Sequence, residues 1–242
     1  MTDTLLLLAT DTPPAPNDAW SIILSGGVTG IAILLLLAVI SVIALTLVVE
    51  HLLTIRRPIL MPAGLTEQVR KQLANNKIAA ANQQCQQTPS ALAAVLQAGL
   101  AETPGGWPAV EKGMEEALAE QSARLLRKID YLSVIGNIAP MIGLLGTVFG
   151  MIFAFQEVAN TQGAARAAEL ASGIYQALVT TVGGLLVAIP SLAAFAVLRN
   201  RIDGLIAETG QQAQTAVAPL KRAFQTGAPQ ASPPKPPVAG AK

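Results

Sequence analysis

The chain has 242 residues, of which 52% are hydrophobic and only 13% are charged. Soluble domains carry about 25% charged residues, so this composition argues against an ordinary soluble protein. The formal net charge of +1 gives no strong attraction to nucleic acid, and no nucleic-acid partner is expected. The single cysteine, Cys85, cannot form an internal disulfide and is interpreted as a small buried side chain.

Three long segments contain no charged residue and no histidine: residues 19–49, 131–156 and 170–198. A helix needs about 20 apolar residues to cross the hydrocarbon core of a bilayer, and each segment is longer. We therefore expect an all-α, polytopic membrane protein with three transmembrane helices. The alternative is a set of buried helices in a soluble core, but such helices rarely exceed about 20 residues without a charge.

The positions of Lys and Arg predict the orientation of these helices. Residues 1–18 contain none, residues 50–130 contain nine, residues 157–169 contain one, and residues 199–242 contain six. We therefore expect the N-terminal segment 1–18 and a loop at 157–169 on the external face of the membrane, with the C-terminus in the cytoplasm. The start of the chain has no basic region before its short apolar run, so no cleavable signal peptide is expected.

The segment 50–130 is predicted to be cytoplasmic and helical, because it is rich in Ala, Gln and Leu. The sequence "TPGGWP" at 103–108 predicts a break, after which one long helix is expected to run from about 110 to about 156. Glu50 and His51 are interpreted as interfacial anchors. Residues 199–225 are predicted as a helical cytoplasmic extension. The Pro-rich tail 226–242 is predicted to be disordered, or alternatively a ligand for a recognition domain.

The second apolar segment carries a stripe of small and polar residues at steps of three and four. The stripe consists of Ser133, Gly136, Pro140, Gly143, Thr147, Gly150 and Ala154. This spacing places them on one helix face, and small residues let membrane helices approach closely. The opposite, aliphatic face is expected to contact lipid or apolar neighbours.

The third apolar segment has the same property. Its stripe consists of Gly173, Gln176, Thr180, Gly183, Val187, Ser191 and Ala194, with Ala177, Thr181, Gly184 and Ala188 beside it. At 1.5 Å per residue, Thr147 and Thr181 lie about 24 Å and about 26 Å from the cytoplasmic ends of their helices. Pro140 and Pro190 also match in depth. Two interpretations stay open: a tightly packed helix hairpin, or a hairpin that lines a polar pathway.

None of the three segments contains an ionisable side chain of Asp, Glu, Lys, Arg or His in its interior. A protein that moves protons by titrating a buried group needs a carboxylate within the membrane. Either this chain moves no protons, or a partner supplies the carboxylate.

The sequences "GNIAPMIGLLGTVFGMIFAF" and "LASGIYQALVTTVGGLLVAIPSLAAF" strongly resemble the second and third membrane helices of the ExbB/TolQ family, which is related to the stator protein MotA. The resemblance covers about residues 120–205. It implies an inner-membrane subunit that forms a homo-oligomeric, pentameric channel. The implied partner is a dimer of a single-span ExbD/TolR-like protein, which carries the membrane aspartate. Work would pass to a TonB- or TolA-like protein, and no enzyme activity, cofactor or metal is implied.

The resemblance also assigns roles to residues of this chain. Thr147 and Thr181 correspond to pore threonines, and Thr180 and Gln176 would lie on the same pathway. The small-residue stripes themselves, apart from the resemblance, indicate the residues of helix packing: Gly136, Pro140, Gly143, Gly150, Gly183, Gly184 and Pro190. The family commonly has a glutamate where this chain has Gln176, which cannot titrate.

Three other interpretations compete with an ExbB-type role in transport across the outer envelope. A TolQ-like subunit would serve envelope integrity instead. A structural membrane scaffold would carry no ions, which Gln176 would permit. A solute carrier acting alone would show internal repeats and a midplane substrate site, whereas the sequence shows no repeat and only three apolar spans.

Overall fold

The computed structural model describes residues 27–160 and 167–227, with side chains described for 29–160 and 170–227. The predicted external N-terminus, the start of the first predicted span, residues 161–166 and the tail from 228 lie outside the described residues. Within the described ranges the chain contains no strand, and its helices confirm the all-α class. In chain order they are α1 Gly27–Thr54, α2 Arg57–Leu60, α3 Leu65–Ala74, α4 Ile78–Gln87, α5 Ala91–Ala101, a 3-10 turn Thr103–Gly105, α6 Trp107–Asn160 and α7 Ala167–Gln225.

Three of these helices, α1, α6 and α7, are long and apolar enough to cross a membrane. The expected continuous helix is confirmed as α6, which begins directly after Gly106, where φ is +83° and glycine is favoured. Pro108 lies in the first turn, where its missing N–H costs no hydrogen bond. Helix α6 continues to Asn160 and α7 begins at Ala167, so helical structure extends into the segment 157–169 that was expected to be a loop.

The chain divides into two compact units that share these long helices. One comprises Met1–Val49 and Asp130–Ala196, and we call it the span unit. The other comprises Glu50–Ile129 and Val197–Lys242, and we call it the core unit.

The core unit resembles a soluble helical domain, because its large apolar side chains are buried. Val69, Leu92, Leu96, Val110 and Val217 are all essentially inaccessible to solvent. Burying one such side chain contributes about 1.5–3 kcal/mol. Cys85 is buried in the same core, as expected, and this burial raises the pKa of its thiol to about 11.

The span unit has a different interior. Its described core is a small cluster of Ile33, Leu37, Ala139, Val187 and Ala188. Most of its large aliphatic side chains are exposed, including the face of α6 that was expected to meet lipid. That face comprises Val134, Ile138, Met141, Leu145, Val148 and Ile152. A surface of this kind suits a hydrocarbon solvent, in which apolar side chains lose nothing by being exposed.

Candidate functional site: the glycine and threonine contact between α6 and α7

Helices α6 and α7 approach each other so closely in the span unit that no side chain fits between their backbones. A Cβ atom added at Gly143 would lie 2.8 Å from the carbonyl oxygen of Thr180 and 3.0 Å from Cα of Thr181. One added at Gly184 would lie 2.6 Å from the carbonyl oxygen of Ala139. Because these obstacles are backbone atoms, they cannot rotate aside, and glycine is required for this contact.

The same antiparallel register continues in both directions along the pair. A Cβ at Gly150 would lie 2.7 Å from Cβ of Ala177, and one at Gly136 would lie 2.5 Å from Cγ of Leu192. Gly183 differs, because its nearest neighbour is Cδ2 of Leu34 in α1, at an ordinary 3.4 Å from an added Cβ. The glycines named from the sequence therefore serve two interfaces, of which α6 against α7 is the tighter.

The contact face of α6 is offset from the stripe expected from the sequence. Gly146 is buried against the side chain of Thr180, and Ala139 is buried against Gly184, yet neither belongs to the expected stripe. Ser133 and Pro140 are only half-buried. A second series of small residues carries the signal that could have found this face: Gly136, Ala139, Gly143, Gly146 and Gly150 also follow steps of three and four.

Two threonines of α7 meet one carbonyl group of α6. The Thr180 hydroxyl lies 3.1 Å from the carbonyl oxygen of Gly143 and 2.6 Å from that of Ala177, and it can donate to only one of them at a time. The Thr181 hydroxyl donates to the Gly143 carbonyl at 3.3 Å. In a regular helix the same carbonyl also accepts the N–H of Thr147. The Gly143 carbonyl is therefore the centre of a polar junction, which we call the threonine junction.

The threonine junction does not include the Thr147 side chain. Thr147 is 9% exposed, and its hydroxyl donates to the carbonyl of Leu144 in its own helix at 2.7 Å. Thr180 is 2% exposed, whereas Thr181 is half-buried. Of the two matched prolines, Pro140 is half-buried and Pro190 is exposed.

Gln176 lies near the junction in a separate space between the three apolar helices. It lines a cavity of about 300 Å³ with Thr180, Phe149 and Phe153, and Thr29 of α1 completes the polar part of the lining. The amide nitrogen of Gln176 donates to the Ser172 hydroxyl at 3.4 Å. A mostly apolar cavity with one amide and two hydroxyls can hold water or receive a neighbouring side chain.

The chemistry available at this site is limited to hydrogen bonding. In the two described stretches of the chain, no cluster of three His, Cys, Asp or Glu residues is arranged to hold a metal ion. Hydroxyl, carbonyl and amide groups can order water and pass hydrogen bonds along, but none of them stores a proton near neutral pH. A proton held at this site would need a titratable group other than these.

The three apolar helices and the close hairpin of α6 and α7 define a polytopic, all-α membrane protein. Residues 71–211, more than half of the chain, match the family model described as the MotA/TolQ/ExbB proton channel family. The chain belongs to this family, which confirms the resemblance.

Individual relatives carry both family names. The chain is 40% identical over 91 residues to the biopolymer transport protein exbB1 of Vibrio cholerae, covering 38% of this chain and 40% of that protein. It is 34% identical over 97 residues to the Tol-Pal system protein TolQ of Pseudomonas aeruginosa, covering 40% and 42%. For the biopolymer transport protein ExbB of Salmonella typhimurium, identity is 35% over 100 residues, covering 41% of each chain. The matches thus span about two fifths of each relative.

Proposed function

We propose that this chain is the multi-span subunit of a proton-driven motor in the inner membrane. It would assemble as a pentamer around an ExbD-like single-span dimer and pass work to a TonB-like protein for transport across the outer envelope. Membership of the proton channel family and similarity to biopolymer transport proteins support this proposal.

The observation that carries the proposal is the threonine junction. Thr180 and Thr181 direct hydroxyl groups at the Gly143 carbonyl within helices whose apolar segments contain no ionisable residue. One interhelical hydrogen bond contributes only about 0.6 kcal/mol on average in a membrane, so the junction adds little to packing alone. The Thr180 hydroxyl has a second acceptor within reach, the Ala177 carbonyl, so it can exchange partners, as a hydroxyl in a hydrogen-bonded pathway must.

The proposal assigns different tasks to the threonines. Thr181, half-buried in the isolated chain, and Thr147 would line the pathway for the proton. Thr180 is already enclosed by Gly146 and Ala177, so it would hold α7 in register while exchanging its hydrogen bond. Gln176 would orient water or the partner's carboxylate, since an amide cannot take up a proton itself.

The glycines and prolines would hold the hairpin in the shape that the pathway needs. Gly136, Gly143, Gly150 and Gly184 would keep the two backbones in contact, while Gly183 would seat α1. Pro140 and Pro190 would release the carbonyl groups of Gly136 and Leu186 from their helical hydrogen bonds. Such carbonyl groups need another partner inside a membrane, and water in the pathway could supply it.

A partner carboxylate would supply the one group that the three apolar segments lack. A proton that crosses the membrane delivers about 2.3 kcal/mol per 100 mV of potential. The carboxylate would take up the proton on one side and release it on the other, while the uncharged hairpin provides the surface against which it moves.

The test is proton flux into liposomes that contain this chain, with and without its cognate single-span partner. We expect flux only when the partner is present, and its loss when the partner's membrane aspartate is replaced by asparagine. Absence of flux from a correctly assembled wild-type complex would refute the motor and favour a non-conducting scaffold.

A TolQ-like role in envelope integrity is the second candidate, because a TolQ protein is among the relatives. Co-purification separates the two roles. The transport role predicts that the chain retains an ExbD-like partner in preference to a TolR-like partner from the same cell, and the reverse preference would establish the TolQ-like role.

A further inference from the structure

A second cavity lies within the core unit, against residues 121–128 of α6. Its volume is about 590 Å³, and helices α4, α5 and α6 contribute to its lining together with Ile59 and Leu60 of α2. Unlike the cavity beside Gln176, it is lined by charged side chains.

The charge in this cavity is entirely positive. Arg124 and Lys128 line it from α6, and the lining contains no Asp or Glu. Neither Arg124 nor Lys128 forms an ion pair with a described residue, whereas Arg57, Arg70 and Lys112 of the same unit do. The two cations of the cavity are therefore available to a ligand.

Uncharged hydrogen-bonding groups surround these cations. Gln86, Gln97 and Gln121 line the cavity, and so does Ser90. Three amides beside two cations can bind an anion that also carries hydroxyl groups, because each amide can both donate and accept a hydrogen bond.

Helix α5 begins at the same cavity and adds to its positive potential. Ser90 is its N-cap and accepts a hydrogen bond from the N–H of Ala93 at 3.1 Å. Ala91, in the same first turn, also lines the cavity, and its N–H has no partner within the helix. The first turn contains no acidic residue, and helix N-termini favour anions.

The lining residues adjoin the membrane-spanning segments in the sequence. Thr54, which lines the cavity, is the last residue of α1, and Lys128 precedes the predicted second span by three residues. Ile59, in the lining, is 52% exposed, and Leu53 is exposed beside Thr54. The exposed apolar side chains of Leu53 and Ile59 match the acyl chains of a phospholipid, and the cationic cavity matches its anionic headgroup.

We propose that this cavity binds a phosphate ester anion, supplied by an anionic phospholipid of the cytoplasmic leaflet. Arg124 and Lys128 contact the phosphate, the glutamine amides contact hydroxyls of the headgroup, and the acyl chains leave along Leu53 and Ile59. The site is independent of proton conduction, although a lipid source requires that the core unit lies at the cytoplasmic surface. Soluble phosphate esters share the same headgroup chemistry.

The experiment measures lipid binding to the full-length protein by native mass spectrometry, with phosphatidylglycerol and phosphatidylcholine of identical acyl chains. We expect preferential retention of phosphatidylglycerol by the wild type. Arg124→Gln/Lys128→Gln should weaken it about 25-fold, since each cation near an anionic headgroup contributes about fivefold. The control Lys112→Gln/Arg127→Gln removes the same charge from α6 outside the cavity and should change binding less than about twofold.

Two further measurements keep the proposal testable if the double variant fails to fold, or if the natural ligand is a soluble phosphate ester. Gln97→Glu keeps the size of the side chain and places a carboxylate in the cavity, so it should also lower phosphatidylglycerol binding. Glycerol 1-phosphate is titrated calorimetrically into the protein in phosphatidylcholine nanodiscs. Heat that disappears in the Arg124→Gln/Lys128→Gln variant, without any lipid preference, would support the anion site and refute its lipid source. The proposal would be overturned if the cavity and control variants changed binding equally. It would also be overturned if the wild type neither preferred phosphatidylglycerol nor gave heat with glycerol 1-phosphate.

Discussion

The interior of the span unit and the interior of the core unit are packed with opposite kinds of side chain. In the core unit large residues such as Leu96 and Val217 are buried, and stability comes from removing apolar area from water. In the span unit large residues such as Leu186 are up to 70% exposed, and many of the buried positions belong to glycine, alanine and threonine. A bilayer gives no hydrophobic drive for helix association, so close packing and polar contacts must replace it. The same helix can therefore follow different packing rules along its length.

The largest effect is expected where the span unit depends on glycine. Gly143→Leu places a branched side chain against the Thr180 carbonyl and Cα of Thr181, which cannot move aside without separating the helices. We expect loss of the assembled oligomer on native mass spectrometry. The control is Gly204→Leu, because nothing lies within 4 Å of a Cβ added at Gly204. An intact oligomer for Gly143→Leu would contradict this account of the span unit.

The next effect contrasts a buried with an exposed leucine. Leu96 is 0% exposed, so Leu96→Ala should destabilise the core unit by about 2–5 kcal/mol, whereas Leu186→Ala should have little effect in a bilayer. The rate at which a maleimide labels Cys85 measures opening of the core unit. The folded thiol is buried and its pKa is raised to about 11, so at pH 8 it is protonated and inaccessible, and labelling reports opening. Equal labelling rates in the two variants would remove the distinction between the units.

The smallest effect concerns the surface of the core unit. Arg57 and Glu208 form an ion pair in which the arginine Nε donates to Glu208 Oε1 at 2.9 Å, and both side chains reach solvent. Arg57→Gln should cost at most about 1 kcal/mol, and the difference from wild type should shrink in high salt. Thermal unfolding at two salt concentrations checks this. A larger, salt-independent loss would show that Arg57 has a structural role beyond the ion pair.

The sequence was sufficient to predict the helical class, three apolar helices and the unbroken α6, because each follows from local composition and the absence of charge. The side of α6 that contacts α7 was not predictable. Two overlapping series of small residues share Gly136, Gly143 and Gly150, and only the position of the partner helix selects between them. The sequence also does not indicate which of Thr180 and Thr181 is buried against α6, although the two adjacent residues point about 100° apart around the helix. Their different burial depends on where α6 lies.

Contacts between residues distant in sequence account for the remaining differences. His51 was interpreted as an interfacial anchor, but it is 6% exposed, and its Nε2 donates to the carbonyl of Lys128 at 2.9 Å. The cavity lined by Arg124 likewise needs α4 and α5 beside α6, and no spacing along the chain reveals that arrangement. The roles of Thr147, Thr181 and Gln176 stay predictions.

The most direct test of the central claim is proton flux through the complex with Thr181→Val in place of the wild-type subunit. Valine keeps the volume and removes the hydroxyl that donates to the Gly143 carbonyl. Thr46→Val is the matched control, because the Thr46 hydroxyl is exposed and bonds within α1 to the carbonyl of Val42. The account predicts that Thr181→Val assembles normally and loses flux by at least about tenfold, an effect of about 1.4 kcal/mol on the barrier, while Thr46→Val conducts like the wild type. Wild-type flux through an assembled Thr181→Val complex would contradict it.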